Sequence, residues 1–102
     1  MEVFINGHTF RIEFVDGNSK KMNPDKNHYN LGLTEYCEGV ISIRKGMDKQ
    51  VTRSTVIHEL VHAFTFAFGY TVKGEEAMCD FFGAQADVIL RLANQIMEKD
   101  GD

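Results

Sequence analysis

Two histidines and a glutamate stand at a spacing that suits metal chemistry. His58, Glu59 and His62 form the pattern His-Glu-x-x-His within a strongly apolar stretch. On a helix, residues four apart share a face with Cβ atoms about 5–6 Å apart, so both imidazoles can reach one metal ion. Glu59 is rotated by about 100° from His58. We therefore expect its carboxylate to flank the metal and to take a proton from a metal-activated water.

This motif is specific. At ordinary usage of His and Glu, a chain of this length contains the pattern by chance about three times in a thousand. The competing interpretation is a core helix with two hydrogen-bonded histidines and a glutamate at its surface edge. Burial of an unpaired charge is costly, so a glutamate beside two imidazoles in an apolar helix favours the metal site.

A catalytic zinc commonly takes three protein ligands and leaves its fourth position to water. His8 and His28 qualify as the third ligand by residue type alone. The stronger candidate lies in the run Glu75-Glu76-Ala77-Met78-Cys79-Asp80. We expect Glu76 to bind the metal, with Glu75 as the alternative, although both also suit a helix start, where the macrodipole favours negative charge.

Asp80 stands four residues after Glu76 and would share its helix face. From there it would hydrogen-bond a ring nitrogen of His58 or His62 and so support the metal ligands. Gly83 continues the same face, where a missing side chain would let two helices approach closely.

The elements that must position these groups begin with a hairpin. Asn6-Gly7 is the strongest short turn signal for two antiparallel strands, and residues 3–5 and 9–14 flank it. In the second strand Phe10, Ile12 and Phe14 fall on one face, so one face is buried and the other is wet.

The spacing of apolar residues along the chain predicts one more strand and two helices. Residues 39–44 predict a third strand, either at the sheet edge, where it would accept an extended substrate, or in the core. Apolar residues then occur on nearly every side of a helix from Asp48, its N-cap, to Phe68, with Gly69 as its stop. A last helix is predicted over residues 75–98. The fold class is α+β, a small antiparallel sheet packed on the two helices.

Length, composition and charge limit the number of domains and the kinds of partner. The chain has 102 residues, 15 acidic and 11 basic, which fits a single domain over residues 1–102. A net charge of −4 argues against nucleic-acid partners. No apolar run approaches the ~20 residues that span a bilayer, and the start lacks the features of a signal peptide. With only Cys37 and Cys79, we expect free thiols and a cytoplasmic location.

The stretch Thr55-Val56-Ile57-His58-Glu59-Leu60-Val61-His62-Ala63-Phe64, followed by Glu75-Glu76 at a helix start, resembles small gluzincin-type zinc metallopeptidases. It is most similar to the short ImmA/IrrE-like proteins of bacteria and their phages and to single-domain minigluzincins. Leu31-Gly32-Leu33-Thr34-Glu35-Tyr36 resembles the segment before the helix in phage-type members. The resemblance implies a zincin-like core, His58 and His62 as ligands, Glu59 as base and a glutamate of the last helix as third ligand.

The expected function is that of a zinc-dependent endopeptidase with Zn²⁺ as cofactor, acting on a protein or peptide such as a regulator. The alternative is a phage-type or bacterial zinc-containing regulatory or binding module without efficient proteolysis. An open cleft over the histidines favours the enzyme, and a capped one favours the module. Tyr36, Tyr70 and His28 are candidates by type for a second oxyanion donor, and no substrate-binding residue is assigned.

Overall fold

The computed structural model describes residues 1–69 and 73–100, and these form an α+β fold with a four-stranded mixed sheet and two helices. The elements in chain order are β1 (Glu2–Ile5), β2 (His8–Val15), β3 (Gly32–Glu35), β4 (Val40–Arg44), α1 (Lys49–Phe68) and α2 (Glu75–Asp100).

The first two strands form the predicted hairpin. Asn6 and Gly7 have φ angles of 45° and 82°, the positive pair that a two-residue type I′ turn requires. Phe10 and Ile12 are buried, as the alternation predicts. The hairpin also contacts α1, because Nδ2 of Asn6 donates a 2.9 Å hydrogen bond to the carbonyl of Ala67.

The sheet corrects the prediction of a purely antiparallel arrangement. Its strand order is β1-β2-β4-β3. β2 and β4 are parallel, with Arg11 opposite Val40 and Val15 opposite Arg44, and the other two pairs are antiparallel. Parallel neighbours need a crossover of a dozen or more residues, and residues 16–39 supply it. The strand pattern alone does not specify this choice of partner.

The interior position of β4, between β2 and β3, selects the core strand over the edge strand, the two alternatives that the sequence left open. Val40, Ile41, Ser42 and Ile43 are all buried, so both faces of the strand are covered. The edge beside α1 belongs to β3, which pairs with β4 from Gly32 opposite Ile43 to Glu35 opposite Val40. β3 was not predicted as a strand.

Helix α1 begins and ends where the sequence predicts. Oδ1 of Asp48 accepts a 2.9 Å hydrogen bond from the amide of Val51, and Gly69 closes the helix at a left-handed φ of 71°. The apolar side packs into the core through Val56, Leu60, Ala63, Phe64 and Ala67. One side stays open to solvent. We call it the open face of α1, and it carries His58, His62 and Phe66, four residues apart.

Helix α2 covers the core through Phe81, Ile89, Ala93 and Ile96. The predicted close helix approach at Gly83 is absent, since a Cβ placed there would have no neighbour within 4 Å. Across the described residues, neither helix combines the length and apolarity needed to cross a bilayer.

A loop, residues 16–31, is anchored by Arg44. Its Nε, Nη1 and Nη2 donate 3.0 Å hydrogen bonds to the carbonyls of Asn30, Gly17 and Met22, respectively. The guanidinium carbon lies 5.4 Å from the ring centroid of Tyr29. The end of this loop is thereby fixed beside α1.

Candidate metal and catalytic site

The two histidines of the motif converge on one point of the open face of α1. Their Nε2 atoms are 3.2 Å apart, and their ring centroids are 4.8 Å apart. The side chain of His58 is 67% exposed, so the pair is accessible from solvent. The helical spacing of four therefore produces the convergence that the sequence predicts.

The donor set and its spacing fit a zinc ion. Two nitrogen ligands that share one Zn²⁺ at about 2.0–2.1 Å with a tetrahedral angle lie about 3.3 Å apart. The observed separation of 3.2 Å is close to that value. Without a metal, one ring would donate a hydrogen bond to the other, because each neutral imidazole has one donor and one acceptor nitrogen.

Glu59 lies on the side of α1 that faces β3, and it is only 6% exposed. Its Oε1 accepts a 2.7 Å hydrogen bond from Oγ1 of Thr34. Its Oε2 lies 3.9 Å from Nε2 of His58. One carboxylate oxygen is therefore fixed by β3, and the other lies next to the histidine pair.

This placement depends on a close approach between β3 and α1 at Gly32. A Cβ on Gly32 would lie 2.8 Å from both Cγ of Glu59 and Cγ2 of Thr55, which is closer than carbon atoms pack. Only glycine fits there without displacing the strand or the helix.

The carboxylates of α2 are not gathered around the histidines. Glu75, Glu76 and Asp80 are exposed in the first turns of α2. In residues 1–69 and 73–100, no group of three or more His, Cys, Asp or Glu side chains is arranged to hold a metal ion. Glu76 as third ligand and Asp80 as hydrogen-bond partner of His58 or His62 remain predictions.

Two cavities adjoin the histidine pair, and His58 borders both. One, of about 390 Å³, lies between α1, β3 and the end of the loop, and is lined by Tyr29, Asn30, Leu31, Gly32, Ser54, Thr55, His58 and Glu59. The other, of about 360 Å³, lies toward α2 and is lined by Ser54, Ile57, His58, Val61, His62 and Phe82. Of the residues that the structure describes, Phe82 is the one from α2 in this lining.

The other residues considered as third metal ligand or second oxyanion donor make different contacts. His8 and Tyr36 both contact the ring of Phe66, with centroid distances of 5.2 and 4.8 Å. Nδ1 of His28 donates to Asp25 over 2.7 Å. Hydrogen bonds from the His28 ring, and next from the amide of Asn27, lower the pKa of the Asp25 carboxyl from its ordinary 3.8. Tyr70 lies outside the described residues.

Thr34 and Gly32 are the site residues that sequence reasoning missed. Both belong to the segment 31–36, which resembles the segment before the helix in phage-type members. That resemblance gives neither residue a role. No periodicity marks them, because β3 has only four residues, all of intermediate burial.

Comparison with known proteins gives no match, so the function is inferred from the geometry and chemistry of the site. No protein-family model, no curated protein and no solved structure matches this chain.

Proposed function

We propose that the chain is a zinc-dependent peptidase in which His58 and His62 bind the metal and Glu59 is the general base. The observation that carries the proposal is the convergence of three groups. Two imidazole nitrogens lie 3.2 Å apart, and the carboxylate oxygen Oε2 of Glu59 lies 3.9 Å from one of them.

When bound, Zn²⁺ supplies Lewis acidity that polarises a peptide carbonyl and lowers the pKa of water. The protein supplies the base. Because Thr34 occupies Oε1 of Glu59, Oε2 is the atom left to take a proton from the attacking water and to return it to the leaving amine.

Access supports an enzyme over a capped module. The side chain of His58 is 67% exposed, and Gly32 of β3 contributes to the lining of the cavity beside it. Within the described residues no strand pairs with the outer edge of β3. An extended peptide can add to that edge through backbone hydrogen bonds and lie across the histidine pair.

A second candidate function rests on the ligand count. The described residues bring two histidines together and no third metal-binding side chain. A chain that binds zinc weakly, or completes the site only with a partner, would act as a zinc-containing binding module without efficient proteolysis.

Metal content tests the ligand assignment. We expect about one zinc per purified chain by elemental analysis, with the metal lost in His58→Ala and His62→Ala and retained in His28→Ala. His28 is a matched control because it is exposed and paired elsewhere. Zinc well below one per chain in the unaltered protein contradicts the proposal.

A second pair of variants, Glu76→Gln and Glu75→Gln, tests which glutamate is the third zinc ligand. If Glu76 is the third ligand, only its substitution weakens zinc binding, by more than the roughly 10- to 100-fold that loss of a partner of a ligand costs. Equal retention of zinc in both variants removes Glu76 from the ligand set.

Measurement of peptide cleavage tests the role of Glu59 as general base. Digestion of a complex peptide mixture, followed by mass spectrometry, should reveal cleavage by the unaltered chain. Glu59→Gln should retain zinc and lose that cleavage. A zinc-loaded chain that cleaves nothing favours the binding module, and a Glu59→Gln variant that cleaves normally excludes Glu59 as base.

A further inference from the structure

Three aromatic rings from separate elements meet at one end of the open face of α1. The ring of Tyr36, just after β3, stacks on Phe66 of α1 with a 4.8 Å centroid distance and a 20° interplanar angle. His8, at the start of β2, meets Phe66 edge-on at 5.2 Å. We call these three residues the aromatic platform.

The platform is exposed although its rings are packed together. Tyr36 and Phe66 are 41% and 44% exposed, and His8 is also exposed. Partly exposed aromatic side chains gathered in one patch are typical of surfaces that bind another apolar or aromatic group.

The platform continues the candidate site. Phe66 stands four residues after His62, so it lies one helical turn further along the same face, about 6 Å away along the axis. β3 runs beside α1 in the same direction. Gly32 approaches Thr55 and Glu59, Thr34 contacts Glu59, and Tyr36 contacts Phe66.

Strand spacing links the platform to a bound peptide. A peptide paired with the outer edge of β3 has side chains on one face every two residues, about 6.8 Å apart. Tyr36 follows Thr34 by two residues and stands just after β3, which ends at Glu35. A peptide residue opposite Thr34 would lie near Glu59, which Thr34 contacts, and the residue two positions along would lie toward the platform.

We propose that His8, Tyr36 and Phe66 form a subsite for an aromatic side chain of an extended peptide that pairs with β3. This proposal rests on the proposed function, since it uses the same peptide-binding edge. Because Phe66 and Tyr36 already stack on each other, a third ring would extend that stack, which selects a flat side chain. The imidazole of His8 adds a polar edge.

The absence of tryptophan from the chain provides a clean probe. We would use zinc-loaded Glu59→Gln protein and a panel of blocked eight-residue peptides rich in Thr and Val. Each peptide carries one Trp, moved through every position, so that all tryptophan fluorescence comes from the peptide. Binding should shift the emission to shorter wavelength for the peptides whose Trp reaches the platform.

The variants Phe66→Ala and Tyr36→Ala should each weaken binding of those peptides by about tenfold, which is about 1.4 kcal/mol. Tyr36→Phe, which keeps the stacking ring, should bind as the parent does. Phe4→Ala is the matched control, because Phe4 is 72% exposed and lies on β1 at the opposite edge of the sheet. Circular dichroism of each variant reports whether the fold is kept.

The outcomes separate the two proposals. Trp peptides that bind Phe66→Ala and Tyr36→Ala as tightly as the parent overturn the aromatic subsite, while zinc content and cleavage still support the peptidase. If no peptide in the panel binds the zinc-loaded protein, both the subsite and the β3 binding edge are wrong. A loss with Phe4→Ala equal to that with Phe66→Ala also overturns the subsite.

Discussion

The hydroxyl of Thr34 donates a 2.7 Å hydrogen bond to Oε1 of Glu59, joining an edge strand to the helix that carries the histidine pair. The same hydroxyl lies 3.3 Å from the backbone carbonyl of Glu59. Thr34 is thus a positioning residue for the carboxylate. It restrains one oxygen and leaves the other beside His58.

Removal of this hydroxyl should destabilise the protein. Thr34→Val keeps the shape of the side chain but leaves a buried carboxylate oxygen without its donor, at a cost of about 1–3 kcal/mol in the free energy of unfolding. Urea denaturation measures the change. Thr34→Ser is the control, because it retains the donor; a Thr34→Val protein as stable as Thr34→Ser would show that the bond contributes nothing.

Gly32 should not tolerate a methyl group. In Gly32→Ala the new Cβ meets Thr55 and Glu59 at 2.8 Å, and such overpacking typically costs about 1–3 kcal/mol. Gly83→Ala should instead stabilise the protein by about 0.5–1 kcal/mol, because the position is helical and open. Thermal unfolding of the two variants compares the effects. Stabilisation by both substitutions would contradict the close approach of β3 to α1.

Arg44 should be required to order the loop at residues 16–31. Arg44→Lys keeps the charge but cannot donate in a fork to the carbonyls of Gly17, Met22 and Asn30. We expect a loss of about 1.5–3 kcal/mol, as for hydrogen bonds to charged groups. Hydrogen exchange should also be faster at the amide of Asn30, which bonds to the carbonyl of Met22.

Lys45→Ala is the control for that experiment, because the neighbouring side chain is exposed. Its amide still bonds to the carbonyl of Val15. Unchanged exchange at Asn30 in Arg44→Lys would mean that the loop holds its conformation without the guanidinium.

The Asp25–His28 pair predicts that its contribution to protein stability falls as the pH is lowered. The hydrogen bond from the His28 ring is the main reason that the pKa of the Asp25 carboxyl lies below 3.8. A lowered carboxyl pKa contributes stability that is present above the unfolded-state pKa and is lost as the pH falls through the folded-state value. NMR titration should place the Asp25 midpoint below 3.8, and His28→Ala should raise it. The same midpoint in both proteins would exclude the ring as the cause.

Local signals explain the parts of the fold that the sequence predicts correctly. The positive φ angles of Asn6 and Gly7, the cap at Asp48 and the stop at Gly69 each depend on residues next to one another in the chain. The convergence of His58 and His62 is also local, because a helix alone brings residues four apart together.

The errors concern contacts between distant segments. The sequence left open whether residues 40–44 form an edge strand or a core strand, and β4 is interior because it pairs with β2 on one side and β3 on the other. β3 is too short and too evenly buried to show a period, and it exists through its pairing with β4. The predicted helix approach at Gly83 is replaced by the approach of β3 at Gly32, which depends on where the sheet lies against α1.

The sequence by itself determined the two helices, the hairpin and the His-Glu-x-x-His spacing, since each follows from interactions within a few residues. Tertiary structure decided that β3 lies at the sheet edge against α1. It also decided that Thr34 restrains Glu59, and that Tyr36 and His8 meet Phe66. These contacts join residues 25 or more positions apart, and only the packing of the whole sheet on α1 fixes which of them form.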